Sequence, residues 1–541
     1  MQNLPRLLVA NPYTFSTTDS SAAVRIGAGL RERLETKVDK WYMIIQRAQM
    51  NEALRQYAYP EDAVLPPLVA RQLATSLQAR ALVVSTLSRE GGRVTVESRV
   101  TRINDDAGHI VRLSQAANQS FEELGQRLAD TLETAFRALP DAQQCETLRG
   151  TNAARAAEAA AKALRTQPNH GLAEYCLAQI AVAKKAPVDI VIAHLRNATK
   201  GDRLSLEAWT ALGVQYQAKG DTANTVQTFK EMLRVAPTNQ KLREEVFRYL
   251  VGAGQPDAAE EVSNEGIAID SANADMWDLR AGACLFQEDK PEKVRCALES
   301  IDQVFAIDTA KADTLFIIKA IYAATREKAP DTTRLVKWAN LGAAKFPNNS
   351  AILAGRVTAF SWTGPIDSLV AATRVLVAVD SSDLTPVVRA VKALAEAKRG
   401  REALELGQYL ERLGGPQEKQ NLAIIAAQGA LPLLQQPGQD LPLAADMARK
   451  AIAHTQAGTP VAALANYGLG LSLFFQAAAI DEQAFKTKSC DLARRMKTLF
   501  DEAGPALQAG RSIQPPYVDK LLEGVQGFTP RVNSMLRAYC K

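Results

Sequence analysis

LEAWTALGVQYQAKGDTANTVQTFKEMLRVAPTN, residues Leu206–Asn239, is a unit of 34 residues with a fixed internal order. Trp209-x2-Leu212-Gly213-x2-Tyr216 opens it, and Gly220, Phe229 and Pro237 follow. Apolar residues three and four apart lie on one helical face, and Gly220 breaks the pattern into two helices. The next 34 residues keep Gly254 and Ala259 in phase but lose the aromatic; after two periods Trp277 stands where Trp209 stood. A period of this length marks helical hairpins stacked in tandem, because a single hairpin cannot bury its own apolar face. Trp209, Tyr216 and Phe229 are expected to fill the space between units. Small residues at Gly213 and Ala259 are expected to let helices approach, and Pro237 to end the second helix.

This pattern resembles the tetratricopeptide (TPR) repeat, most closely over residues 206–307. Outward from it the match weakens but the helical character persists. Thr151–Lys200 reads as three helices with Pro168 in a turn, and Lys337–Asn348 ends in Phe-Pro-Asn-Asn, like a TPR helix terminus. Residues 351–415, 420–456 and 461–508 continue as helix pairs, and a final pair over 515–541 is expected to cap the array. The fold class expected for 143–541 is therefore an all-α, TPR-like solenoid.

Residues 1–142 read differently. Arg6–Ala10, Trp41–Ile45, Ala81–Leu87, Val94–Ile103 and Ile110–Ala116 are strand candidates, rich in β-branched residues and bounded by turn residues. Ser20–Val38, Gln49–Tyr59, Leu65–Gln78 and Phe121–Leu139 carry helical spacing, and Gly91-Gly92 signals a tight hairpin. The order β-α-β-α-α-β-β-β-α predicts an α+β domain, a mixed sheet with helices packed on it. The stretch ARQLATSLQARALVVSTLSREGGRVTVESRVTRINDDAG (70–108), with the first two strands ahead of it, resembles the amino-terminal domain of TolB. Pore-forming lipoproteins of the CsgG type share that core. This sequence has neither their long membrane hairpins nor their acylated cysteine, which argues against a pore. The resemblance to TolB implies a bacterial cell envelope, although TolB-like domains followed by TPRs also resemble cytosolic signalling proteins.

Composition narrows the function. Hydrophobic residues are 47%, charged residues 23% and the net charge only +5, with no basic stripe, so a nucleic-acid partner is not expected. No apolar run approaches the ~20 residues that span a bilayer. The four histidines are scattered, Gly27-x-Gly29 lies inside a helix, and no GxxxxGK[ST] occurs. No catalytic residue, metal site or cofactor is expected. Gly468-x-Gly470 reads as helix packing.

Cys145, Cys176, Cys284, Cys296, Cys490 and Cys540 include no CxxC pair. They pair by neighbourhood as 145 with 176, 284 with 296, and 490 with 540; the alternative is six buried thiols. Cys284 and Cys296 lie six residues either side of Lys290, within the expected turn Glu288–Pro291, which sets them at one height on two antiparallel helices. Bonded cysteines imply an oxidising compartment, periplasmic or secreted, with a leader lost before Met1; free thiols imply the cytoplasm.

The function expected is a non-catalytic scaffold that holds a partner protein or peptide in the repeat groove. Helix positions not used for packing should face it: Val214 and Gln217, then Lys241, Glu244 and Arg248, then Asp278. The competing readings are a merely solvated helix face, or an enzymatic or ligand-sensing site in the α/β domain with the array as its regulatory module.

Overall fold

The structure, a computed structural model, describes residues 4–90, 92–326, 331–435 and 440–540. Gly91 and Lys541, each of which carries an expectation, lie outside them. The chain divides into two compact units, Met1–Ile269 and Asp270–Lys541.

The first unit opens with the expected element order. The strands are β1 (Arg6–Val9), β2 (Met43–Ile44), β3 (Ala81–Glu90), β4 (Arg93–Arg102) and β5 (His109–Ser114). The helices among and after them are α1 (Ser20–Lys37), α2 (Arg47–Gln56), α3 (Pro67–Ser76) and α4 (Phe121–Leu148). The sheet order is β2-β1-β3-β4-β5; β1 runs parallel to β2 and β3, and the remaining pairs are antiparallel. Glu90 pairs with Arg93 across the expected hairpin turn, where Gly92 has φ +82°.

Helices on both faces explain why Leu7, Leu8 and Val9 of β1 are apolar and buried without alternation. Leu7 and Val9 pack with Val83, Val100, Ile26, Leu30, Leu128 and Phe136 on the α1–α4 side. Leu8 and Ala10 pack with Leu82, Ile45, Leu54 and Leu73 on the α2–α3 side. A Cβ added at Gly29 would sit 2.2 Å from the Glu122 carbonyl oxygen, and one at Gly125 2.2 Å from that of Ile26. The two glycines let α1 and α4 cross with backbones touching. Gly125→Ala is expected to cost roughly 1–3 kcal/mol or prevent the crossing, read as a lower melting temperature of the full chain.

Helix α4 was expected to stop at Leu139 but runs through Pro140 to Leu148. Its buried stripe continues without a break through Phe136, Leu139, Ala142 and Cys145, and that packing outweighs one missing N–H. The division expected after residue 142 falls inside this helix, whose core also takes in Ala156, Ala160, Leu172 and Cys176.

Hairpins follow in tandem. The first unit adds α5 (Ala153–Thr166), α6 (Gly171–Ala183), α7 (Val188–Gly201), α8 (Leu206–Lys219), α9 (Thr222–Val235), α10 (Gln240–Gly252) and α11 (Pro256–Ile269). The second begins with α12 (Ala274–Leu285), α13 (Pro291–Ile307), α14 (Thr314–Arg326), α15 (Thr332–Lys345), α16 (Ser350–Thr363) and α17 (Ile366–Val379). It ends with α18 (Thr385–Glu396), α19 (Gly400–Leu413), α20 (Pro416–Leu434), α21 (Leu441–Ala453), α22 (Pro460–Thr487), α23 (Cys490–Gly510) and α24 (Pro515–Tyr539).

The 34-residue period is visible in the backbone: α8, α10 and α12 start at 206, 240 and 274. Their caps Ser205, Asn239 and Asn273 each accept a backbone N–H from the first turn. Gly220 and Gly254, both at positive φ, close the turns inside two hairpins.

The expected C-terminal pair is one helix, α24, with Pro530 inside it. Val518, Leu521, Val532 and Met535 are buried on both sides of that proline, and this holds the helix together. The reading that no apolar run is long enough for a membrane also needs correction. Helix α22 has an 18-residue window of mean hydropathy 1.4, of which 56% is buried within the protein. Its apolar length serves the core, where Leu469, Leu471, Leu473 and Phe474 pack against other helices.

All three cysteine pairings are present, with Cα separations of 6.3 Å for Cys145–Cys176, 6.0 Å for Cys284–Cys296 and 5.0 Å for Cys490–Cys540. Cys284 and Cys296 stand one residue inside α12 and five inside α13, on either side of the expected turn. Denatured, unreduced protein should show no reactive thiol, and reduction should release all six. Six thiols before reduction would contradict the pairing.

Candidate interaction surface

The residues expected to pack the repeats differ in their burial and contacts. Leu212, Tyr216 and Ala259 are buried, and Phe229 meets Tyr249 of the following hairpin edge to face at 5.0 Å. Pro237 sits exposed just after α9. Gly213, however, leaves ordinary room for a methyl group, 3.5 Å from Phe229 and Thr228, so close approach does not require glycine there. Trp209 and Trp277 are only half-buried.

What the two tryptophans share is a bond. Trp209 Nε1 donates to the Arg203 carbonyl at 2.9 Å, and Trp277 Nε1 to the Ser271 carbonyl at 3.0 Å. The intervening unit, which loses the aromatic, places Arg243 at the same phase. Its Nη2 donates to the Pro237 carbonyl at 3.0 Å, and its Nη1 to Val262 at 2.7 Å. Arg243 is buried and ties α10 to α11. An arginine thus does the tryptophan's bonding, which an aromatic pattern cannot reveal.

Of the positions expected to face a groove, Val214 and Gln217 are exposed on α8, and Lys241 and Arg248 on α10, with Glu244 half-buried between them. Spacings of three and four residues put 241, 244 and 248 on one stripe. Asp278, on α12, is half-buried and paired with Lys319 at 2.6 Å, so its carboxylate is already engaged. All six belong to the first helix of a hairpin.

Two clefts open between successive first helices, one in each unit. The cleft between α6 and α8 holds about 530 Å³ and is lined by Tyr175, Leu206, Glu207, Thr210 and Ala211, with Asp106 from the loop between β4 and β5. The cleft between α16 and α18 holds about 380 Å³ and is lined by Trp362, Thr385, Val388, Arg389 and Lys392, among others. A third pocket, also about 380 Å³, lies between α2 and α3 and is mostly apolar, with Leu54, Tyr57, Tyr59, Leu65 and Val69 on its walls.

A polar joint fixes the sheet to the α6–α8 cleft. Asp202 Oδ2 accepts from Arg99 Nε at 2.9 Å and from the Gly108 N–H at 2.7 Å, and Oδ1 accepts from the Leu204 N–H at 3.1 Å. Asp106 caps α8, accepting from Ser205 Oγ at 2.9 Å and the Glu207 N–H at 3.0 Å. Burial pushes the Asp202 carboxyl upward, against the pull of Arg99. The joint ties residues 99–108 to residues 202–207, stretches about a hundred positions apart in the chain, and sequence reasoning missed it.

Beside it, His109 and His170 stack with ring centroids 5.4 Å apart. Both are buried. His109 Nδ1 and both nitrogens of His170 lack a well-formed hydrogen bond among the described residues, with weak backbone interactions from His170 itself and from Ala135 at the His170 ring. Burial lowers His109 to about 4; burial, and then the neighbouring His109, lower His170 to about 3. Both are neutral in the folded chain and titrate near 6.5 when unfolded. The unfolded chain therefore gains protons first, and stability is lost as pH falls from about 6.5 toward about 4. The slope is up to about 1.4 kcal/mol per pH unit for each histidine. Urea unfolding between those pH values should show this slope, and His170→Phe should reduce it.

No family model and no curated protein matches the sequence. Solved structures are similar to it in part. The Naa15/Naa10 structure bound to HypK-THB aligns at 15% identity and TM-score 0.40, over 72% of this chain; this chain spans 66% of that one, just under two thirds. Yeast Tom70 aligns at 12% identity and TM-score 0.24, over 74% of this chain and 96% of its own. The C-terminal part of a TPR repeat-containing protein from Cytophaga hutchinsonii aligns at 11% identity and TM-score 0.30, over 46% and 98%.

Proposed function

We propose that this chain is a non-catalytic scaffold that binds a protein partner along the first helices of its TPR-like hairpins. The observation that carries this reading is that two clefts of the hairpin array, in separate units, open between successive first helices. The exposed Val214, Gln217, Lys241 and Arg248 lie on that same set of helices. A mixture of charge signs on such a face suits a peptide better than a polyanion. The α/β domain is TolB-like by element order, and its joint to α8 would present the array at a fixed attachment. The three disulfides support an oxidising compartment, the periplasm or the outside of a bacterial cell.

The test is partner capture by the full chain and by Lys241→Glu with Arg248→Glu. Loss of the captured protein at an unchanged melting temperature supports the reading; equal capture by both forms counts against it. A second reading, a ligand-sensing α/β domain, is favoured by the pocket between α2 and α3, where two tyrosines rim an apolar hollow. A reproducible turnover, or a small molecule bound there and lost with Tyr57→Ala, would favour that reading instead.

A further inference from the structure

The cleft between α16 and α18 differs from its counterpart between α6 and α8 in charge. Its walls carry Arg389, Lys392 and a single carboxylate, Glu396, whereas the other cleft carries Asp106 and Glu207. Arg389 Nη1 donates to Thr358 Oγ1, and that hydroxyl donates in turn to the Ala354 carbonyl at 3.0 Å. The guanidinium is thus held in place by a neutral group and has no carboxylate partner among the described residues. Its remaining N–H groups are free to serve a ligand. Glu396 is drawn to Lys392 at 3.8 Å, and Asp383, just before α18, spends an oxygen on the Thr385 N–H at 2.9 Å. Neither carboxylate neutralises Arg389.

Trp362 supplies the other half of the site. It is 41% exposed on α16, a large aromatic surface left to solvent beside the cations. Thr385, the first residue of α18, brings the start of that helix to the cleft, where partial positive charge from the aligned peptide dipoles adds to the side chains. A positioned guanidinium binds a carboxylate through two parallel N–H groups, and an exposed indole covers an apolar side chain.

We infer that this cleft binds an acidic segment of the partner protein, with Asp or Glu on Arg389 and Lys392 and an adjacent apolar side chain on Trp362. The inference rests on the docking role proposed above and adds the chemistry of what docks.

Three short synthetic peptides test it on the full, unreduced chain by fluorescence anisotropy: one rich in Glu with interspersed Leu, its Gln-for-Glu counterpart, and its Lys-for-Glu counterpart. The Glu peptide should bind about tenfold or more tighter than the Gln peptide, a factor equal to about 1.4 kcal/mol. Binding should weaken as salt rises. Arg389→Gln and Lys392→Glu should each cost the Glu peptide about tenfold, and Trp362→Ala should weaken the Glu and Gln peptides alike. Lys392 and Arg389 are exposed, so their variants should keep the parent melting temperature. Equal binding of the Glu and Gln peptides, or Glu-peptide binding unchanged in Arg389→Gln and Lys392→Glu, overturns the inference and leaves the docking role intact. Binding of none of the three peptides, in a chain that still loses its captured partner on Lys241→Glu and Arg248→Glu, overturns the inference alone. Failure of both experiments overturns the docking role as well.

Discussion

Asp202→Ala is expected to destabilise the first unit by about 3–5 kcal/mol, the usual cost of removing one member of a buried ion pair. Asp202 is fully buried and Arg99 nearly so, and the carboxylate also receives two backbone N–H groups. Among the described residues, the substitution leaves the guanidinium with only the Asp106 carbonyl as hydrogen-bond acceptor, and leaves the Gly108 and Leu204 amides with no side-chain acceptor. The measurement is urea denaturation at neutral pH. A double substitution, Asp202→Ala with Arg99→Met, should cost clearly less than the sum of its parts, because the second change removes the stranded charge. Additive costs would show that the two residues are not coupled and that the joint is held by other contacts.

Trp338→Ala is expected to cost about 3–5 kcal/mol in the second unit, as truncation of a fully buried aromatic does. Trp338, on α15, meets Phe305 at 5.1 Å and Phe316 at 5.6 Å, both edge to face, so three helices lose contacts at once. Lys337 Nζ sits 4.4 Å from the ring centroid and loses the nearer of its two aromatic partners, keeping Phe305 at 5.4 Å. The indole N–H is buried with no acceptor among the described residues. Trp338→Phe, which deletes that orphan donor and most closely conserves the ring contacts, should therefore cost much less than Trp338→Ala. Denaturation midpoints of the two variants that coincide would refute this account of the core. Trp209→Ala and Trp277→Ala should both cost less than Trp338→Ala, because both rings are half-exposed.

The readable parts of the fold were those written locally. Apolar runs such as Leu7–Ala10 and Ala81–Val84 need only their own residues to declare a buried strand, and a hairpin turn needs only its glycines. The 34-residue period was legible because each hairpin repeats the same packing problem. Cys284 and Cys296 could be paired because the turn between them was visible. Prolines misled: Pro140 and Pro530 signal helix ends, yet buried stripes on both sides carry α4 and α24 through them.

What stayed hidden depends on residues far apart in the chain. Arg99 and Asp202 are 103 positions apart, and nothing local marks either as half of a buried pair. Arg243 looks like one more charged residue on a charged helix, and only its bond to the Pro237 carbonyl shows that it holds the tryptophan position. The candidate surface was legible as a set of helices, since Val214, Gln217, Lys241 and Arg248 do face solvent. It was not legible as a site, because Trp362 and Arg389 meet only when α16 and α18 pack side by side.

The claim on which the functional account turns is that a partner lies against the first helices of the hairpins. Photo-crosslinking groups placed singly in the full chain test it directly. One set occupies Val214, Gln217, Arg248 and Trp362 on first helices; the other occupies Lys230, Lys337 and Arg374 on second helices, with Tyr57 in the α/β domain. Irradiation in the presence of the captured partner should yield adducts from the first set and only background from the second. Adducts confined to Tyr57, or spread evenly over both sets, would contradict the account.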